Sequence, residues 1–271
     1  MNPRFRVTVS AQVIFLLLAA AAVATAEENS AILPPQLRGV GIDQRLNNQV
    51  PLDLKFRNES GQTVTLGSYF GKRPVILSLV YYSCPMLCTM AENGLLNALR
   101  DVSFNIGEQY EVVTVSIDPT ETPEMALGKK AVYAGLYGRP GAKGGWHFLV
   151  GDEPSIRTLA RAVGFRYNYI PETRQYAHAT GIIVLTPQGK VSRYFYGILY
   201  PARDIRLALV EASNEKIGNP VDAVLLYCCQ YDPNTGKYSV VVSRLLKIAA
   251  AVTLLSMGTL IVALSRGGKR A

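Results

Sequence analysis

Cys84-Pro85-Met86-Leu87-Cys88 places two thiols four positions apart, directly after the apolar run 75–82. Such a pair can hold a metal ion or close into a disulfide. On a helical turn, Cα atoms four positions apart lie about 6 Å from each other, within bridging range. One residue fewer between the thiols would read as ordinary dithiol redox chemistry, so the extra residue needs an explanation. The possible completions are few, because the other cysteines are Cys228 and Cys229 and the histidines are His147 and His178. Soft thiolates suit copper(I), and imidazole is the usual third donor of a trigonal site. Two buried small hydrophobes would be the blander reading of Cys84 and Cys88.

Presenting that pair requires a strand that ends and a helix that begins. The run 74–82 reads as a buried strand and 86–99 as a helix. Pro85 suits the first helical turn, where its missing N–H is no loss. Cys84 then sits near the N-cap, where orphan N–H groups and the helix dipole favour a thiolate, with Cys88 one turn further on the same face. Upstream, 52–56 and 64–66 flank Asn58-Glu-Ser-Gly61 and read as a hairpin. Downstream, 111–117 is a second β-branched strand, and Thr122-Pro123-Glu124 is a helix start. Strand 146–150, helix 155–163, strands 180–185 and 191–196 joined by Pro187-Gln-Gly189, and helix 202–212 complete the pattern. Alternating strands and helices ending in a hairpin and a helix give an α/β layer fold with a mixed sheet, in a thioredoxin-like order.

That order bears on the histidines. In a thioredoxin-like sheet the loop before the penultimate strand faces the Cys pair and normally carries a cis proline. Pro171 and Pro187 both miss that place, and His178 occupies it. His178 is therefore the expected third ligand, whereas His147, within the strand Trp-His-Phe-Leu, is expected to be structural.

The ends of the chain set the compartment. Arg4 and Arg6, the apolar stretch 13–24 and the small residues Ala24-Thr25-Ala26 read as a secretory signal, 1–26. Residues 27–49 read as an extended lead-in, 50–213 as the domain and 214–243 as a juxtamembrane linker. Residues 244–265 read as a transmembrane helix, interrupted only by Lys247, which can snorkel. Arg266, Lys269 and Arg270 follow, so positive-inside logic makes 266–271 a cytoplasmic tail and places the domain on the periplasmic or extracytoplasmic side. The net charge of +8 is mostly topology, because the stretch between signal and span holds 21 basic against 20 acidic residues. Nucleic acid is discounted as a partner. Outside the cytoplasm thiols tend to oxidise, so a working dithiol there needs a reductant or a metal.

These residues resemble the Sco/SenC family of copper-binding proteins. The likeness is carried by CPMLC (84–88), SIDP (116–119), WHFLVGD (146–152) and His178 ahead of GIIVLTPQGKV, over roughly 50–212. The resemblance implies a thioredoxin-like, membrane-tethered domain that binds Cu(I) or Cu(II) through Cys84, Cys88 and His178. It implies a metallochaperone, not an enzyme in the strict sense, that matures the copper site of cytochrome c oxidase. The partner would be a copper-accepting oxidase subunit or another copper donor or acceptor. Asp118 matches a family acid near the site, with an expected supporting or docking role. Two departures stand out. Many relatives carry an acid before the ligand histidine, where this chain has Ala177, and many are tethered at the N-terminus instead of the C-terminus. Met86 and the pair Cys228-Cys229 are expected to be packing and free or vicinally bridged thiols, respectively, and Tyr227, Tyr231 and Tyr238 interfacial anchors.

A second function fits the same thiols. Cys84 and Cys88 could serve a membrane-anchored thiol–disulfide oxidoreductase that reduces the cysteines of a client. A peroxidase is more distant, since no Gln/Trp or Arg pair for peroxide activation stands out around Cys84.

Overall fold

The computed structural model describes residues 35–84, 87–217, 231–232, 237–238, 250–251, 253–254 and 256–258, and among these not the side chains of Leu87, Cys88, 231–232 or 237–238. The chain enters through a 3-10 turn, Pro35–Leu37, and a short strand β1 (Gly41–Ile42). A hairpin follows, β2 (Lys55–Arg57) against β3 (Thr63–Thr65), where Asn58 Oδ1 accepts the Ser60 and Gln62 N–H groups at 3.0 and 2.9 Å. In β4 (Val75–Val80) every residue is buried, as an apolar run broken only by Ser78 predicts for a central strand. Next come α1 (Leu87–Asp101), β5 (Glu111–Ser116) and α2 (Pro123–Tyr137). The short α3 (Ala142–Gly145) leads into β6 (Trp146–Leu149), followed by α4 (Glu153–Ala162), β7 (Phe165–Ile170) and β8 (Gln175–His178). The domain closes with β9 (Gly181–Leu185), β10 (Val191–Tyr196) and α5 (Ala202–Ser213).

The main sheet has the order β10-β9-β4-β5-β6. Its β4, β5 and β6 are parallel, in a register that sets Val80 beside Ser116 and Val115 beside Leu149. β9 runs antiparallel to β4, and β10 antiparallel to β9. Both parallel crossovers advance in the same direction, so right-handed connections bring α1 and α2 to one face, where α1 touches both α2 and α5. This is the mixed, thioredoxin-like sheet that the sequence predicts.

Local chemistry explains the helix ends. Thr122 is an extended N-cap with Pro123 in the first turn of α2, and Gly138, at φ 70°, ends that helix in the left-handed region. Asp152 caps α4 by accepting the Ser155 N–H at 2.9 Å. Arg139 Nη2 donates to the carbonyls of Leu99, Val102 and Phe104 at 2.5, 3.0 and 3.2 Å, holding a cation at the negative end of α1. Trp146, Tyr110, Phe56 and Phe148 are the largest fully buried side chains. Gly94 sits inside α1 where a Cβ would meet the Ile198 carbonyl oxygen at 1.8 Å, so only glycine lets α1 lie against the segment after β10.

The structure adds elements that the sequence reading lacks. His178 is not in a loop: it ends β8, which pairs with β7, and β7 pairs with β1. The lead-in is bound to the domain, since Asn47 N–H donates to Val191 O at 2.8 Å and Arg45 N–H to Tyr194 Oη at 3.0 Å. The expected signal 1–26 and the pair Cys228-Cys229 lie outside the described residues. In the linker, β11 (Tyr231–Asp232) pairs with β12 (Lys237–Tyr238). The segment 244–265 is described only at 250–251, 253–254 and 256–258, which are helical. Among the described residues no helix is long and apolar enough to cross a membrane.

Candidate functional site

The carboxyl ends of β4 and β5 lie side by side, joined by Ile117 N–H to Val80 O at 2.7 Å, and the residues beyond them build the site. In open α/β sheets this end of the strands is where ligands bind. Past β4 the chain turns through Tyr81, Tyr82 and Ser83 to Cys84, whose N–H reaches Tyr81 O at 3.4 Å. Cys84 is half-buried against the core. The described helix begins at Leu87, which places the Cys88 backbone in its first turn. Pro85 and Met86, on which the expected cap at Cys84 depends, lie outside the described residues.

His178 is 9% exposed. Its ring meets Tyr81 edge-on at 5.8 Å and Phe165 at 5.9 Å. Nδ1 stands 2.9 Å from Ala179 O. A carbonyl only accepts, so Nδ1 carries the proton and the lone pair is on Nε2, the arrangement by which histidine ligates metals. Burial pushes the His178 pKa down, which favours the neutral imidazole. Tyr81 is the shared neighbour: its carbonyl takes the Cys84 N–H and its ring packs on His178. The structure thus brings two of the three expected ligands to one residue. Cys88 enters only through its backbone, and among the described residues no three His, Cys, Asp or Glu side chains form a metal-holding group.

His147 is elsewhere. It pairs with Val113 on β5, lies 3.2 Å from Glu111 Oε2 through Nε2, and stacks on Tyr69 at 4.2 Å. Glu111 also binds Arg73, so the imidazole belongs to a charged packing cluster at the opposite half of the sheet.

Three acids lie close in the chain to the Cys turn or to the end of β5. Asp118 Oδ1 accepts Thr120 N–H and Oγ1–H at 2.8 and 2.7 Å, and after burial itself its charge is the next cause that raises the Tyr176 phenol. Tyr176 packs on Tyr81 at 5.5 Å. Glu121 is 4% exposed and was not singled out from the sequence. Its Oε1 accepts Ser83 N–H at 2.7 Å and Ser83 Oγ–H at 2.8 Å. Its Oε2 accepts Tyr82 N–H at 2.7 Å and Ser116 Oγ–H at 2.6 Å. In sequence it looks like one more acid of a helix start, Thr120-Glu121-Thr122-Pro123, and the only hint is its closeness to the SIDP segment. Glu92, one turn beyond Cys88 on α1, is buried against α2, where Lys129 Nζ reaches Oε2 at 2.7 Å. Burial outweighs that ammonium and raises the Glu92 carboxyl pKa.

The SCO1/SenC family signature matches residues 43–209. The chain belongs to the SCO1/SenC family. Among solved structures, this SCO1/SenC member is similar to a putative electron transfer protein from Aquifex aeolicus VF5, with 25% identity and a TM-score of 0.56 over 63% of this chain and 95% of that one. It is also similar to a SCO1/SenC family lipoprotein from Bacillus anthracis str. Ames, with 18% identity and a TM-score of 0.51 over 64% and 99%. Arabidopsis thaliana ScoI, solved with copper bound, shows 16% identity and a TM-score of 0.49 over 60% and 96%. No curated protein matches the chain. In this SCO1/SenC chain, Ala177 pairs with Asn168 and supplies no carboxylate to the imidazole that follows it, so the Ala179 carbonyl sets the His178 tautomer instead.

Proposed function

We propose that this SCO1/SenC protein is a copper metallochaperone that carries copper on Cys84, Cys88 and His178 and passes it to the copper site of cytochrome c oxidase. The carrying observation is the meeting of the Cys84 turn and His178 at Tyr81. Two thiolates and a neutral imidazole form a soft, three-donor set suited to Cu(I) and able to take Cu(II). Copper here is cargo: it enters and leaves by ligand exchange, each incoming donor replacing one of the three. Tyr81 and Phe165 close two sides of the imidazole and fix its plane, and the Ala179 carbonyl fixes its tautomer. On this reading the domain is exported by 1–26 and held at the membrane by 244–265.

The second reading, a thiol–disulfide oxidoreductase that reduces a client's cysteines, is favoured by one observation: the pair flanks a strand-to-helix junction in a thioredoxin-like sheet, where redox dithiols sit. The two part at His178. Copper titration of the full chain is expected to give one tightly held copper, and His178→Ala to lose it while keeping the dithiol. If His178→Ala still supports full oxidase assembly, the reductase reading replaces the chaperone.

A further inference from the structure

Glu121 stands out from the other charged groups near the site, because a buried carboxylate on one loop does nothing for its own element. It follows β5 and precedes α2, yet its described partners are two backbone N–H groups and one hydroxyl of the turn that presents Cys84, plus the Ser116 hydroxyl at the end of β5. All four contacts donate, at 2.6 to 2.8 Å, which is the environment of a carboxylate and not of a carboxylic acid. Tyr82 and Ser83 are thereby tied to β5 immediately before the first thiol. Tyr82 is fixed from its other end too, because its phenol donates to Leu149 O at 2.7 Å and lies 3.2 Å from Thr114 O. The near side of the Cys turn is therefore anchored at two places, through elements that contain none of the expected ligands.

We propose that Glu121 is a positioning residue for Cys84: its carboxylate clamps the Tyr82–Ser83 turn that presents the thiol, and its charge favours the more positive oxidation state of a metal held there. The clamp stands on the geometry alone, whereas the charge effect rests on the copper reading. Asp118, the acid of the family motif, spends its contacts on Thr120, so of the two it is Glu121 that reaches the Cys turn. A fixed negative charge beside the site lowers the energy of Cu(II) relative to Cu(I) and so lowers the one-electron potential between them.

The test uses the full chain, with Glu121→Gln (same shape, no charge, a donor in place of an acceptor) and Glu121→Ala. In the metal-free protein, hydrogen exchange at the Tyr82 and Ser83 amides is expected to rise at least about tenfold, with β9 unaffected. Unchanged protection at those amides overturns the clamp, and so does a loss spread evenly over the sheet. In the copper-loaded protein, a mediated potentiometric titration of Glu121→Gln is expected to favour Cu(I) about tenfold more than wild type does, or about +59 mV for one electron. An unmoved potential overturns the charge effect. Glu121→Asp, which keeps the charge but shortens the reach, is expected to hold the potential nearer wild type than Glu121→Gln does. If Glu121→Ala does not fold, Ser116→Ala removes one hydroxyl donor and is expected to speed exchange at the same amides about two- to threefold. If wild-type chain takes up no copper, the copper reading falls, and the exchange result still decides the clamp.

Discussion

The two histidines of this chain occupy opposite chemical settings. His147 is held by a carboxylate and an aromatic ring in a cluster with Glu111, Arg73 and Tyr69. His178 is walled by Tyr81 and Phe165, and its hydrogen-bonding partner at Nδ1 is a backbone carbonyl. An imidazole whose Nε2 faces a carboxylate has that nitrogen engaged in a hydrogen bond. One oriented through Nδ1 in an apolar wall keeps a lone pair on Nε2. Residue type cannot separate these cases, and the partner on the far nitrogen can.

The widest way to break the comparison is to delete each ring in turn. His178→Ala is expected to weaken copper binding by more than about 100-fold, roughly 3 kcal/mol, in a competition titration. His147→Ala is expected to stay within about twofold of wild type, since it touches no expected donor. Equal losses from the two variants would erase the distinction.

Gly94 comes next. Gly94→Ala forces a methyl group onto the Ile198 carbonyl and is expected to cost about 2 to 3 kcal/mol in denaturant unfolding. The strain falls on α1, which carries Cys88, so copper affinity should drop in this variant while the contact between His147 and Glu111 survives. Glu111→Gln sharpens the other side: it weakens the pairings with Arg73 and His147 and is expected to cost about 1 kcal/mol with copper affinity unchanged.

The smallest effect is in pH. The folded His178 pKa is depressed by burial below its ordinary 6.5. The unfolded chain therefore binds more protons there, and stability from this group is complete above that value and lost as pH falls through it toward the folded pKa. Urea midpoints of the metal-free chain between about pH 8 and about pH 5 should show that decline, and His178→Asn should remove this part of the slope. A decline of the same size in His178→Asn would assign the slope to other groups.

What could be read from the sequence divides along physical lines. The parallel strands β4 and β5 show as largely apolar runs rich in β-branched residues because both their faces are buried, and Pro123 marks a helix start through local backbone chemistry. The β7–β8 hairpin was missed because its strands are half-buried and rich in Tyr, Arg and Asn. Its signal was the alternation of Phe165, Tyr167 and Tyr169, followed by Pro171-Glu-Thr-Arg174 with Arg174 at φ 55°. His178 was singled out as a candidate because it precedes a strand at the place where a thioredoxin-like order normally carries a cis proline, although it ends β8 instead of lying in a loop. Glu121 was not, because its reach to Ser83 follows from the register of β4 on β5, a tertiary fact that no local pattern carries.

The attachment of the lead-in to β10 has a mechanical consequence. Asn47 and Asn48 exchange backbone hydrogen bonds with Val191, and the Ser192 hydroxyl binds the Lys216 carbonyl just after α5. Residues on both sides of the sheet's core are thus pinned to adjacent positions of one edge strand, with β9 standing between that edge and β4. A load at Asn47 or Lys216 is borne at this hem of the sheet, whereas a load on β1 passes to β7 and so to β8, which ends at His178. The Cys84 turn, beyond the end of β4, lies off both paths, so the two expected ligands Cys84 and His178 ride on elements that feel a pull differently.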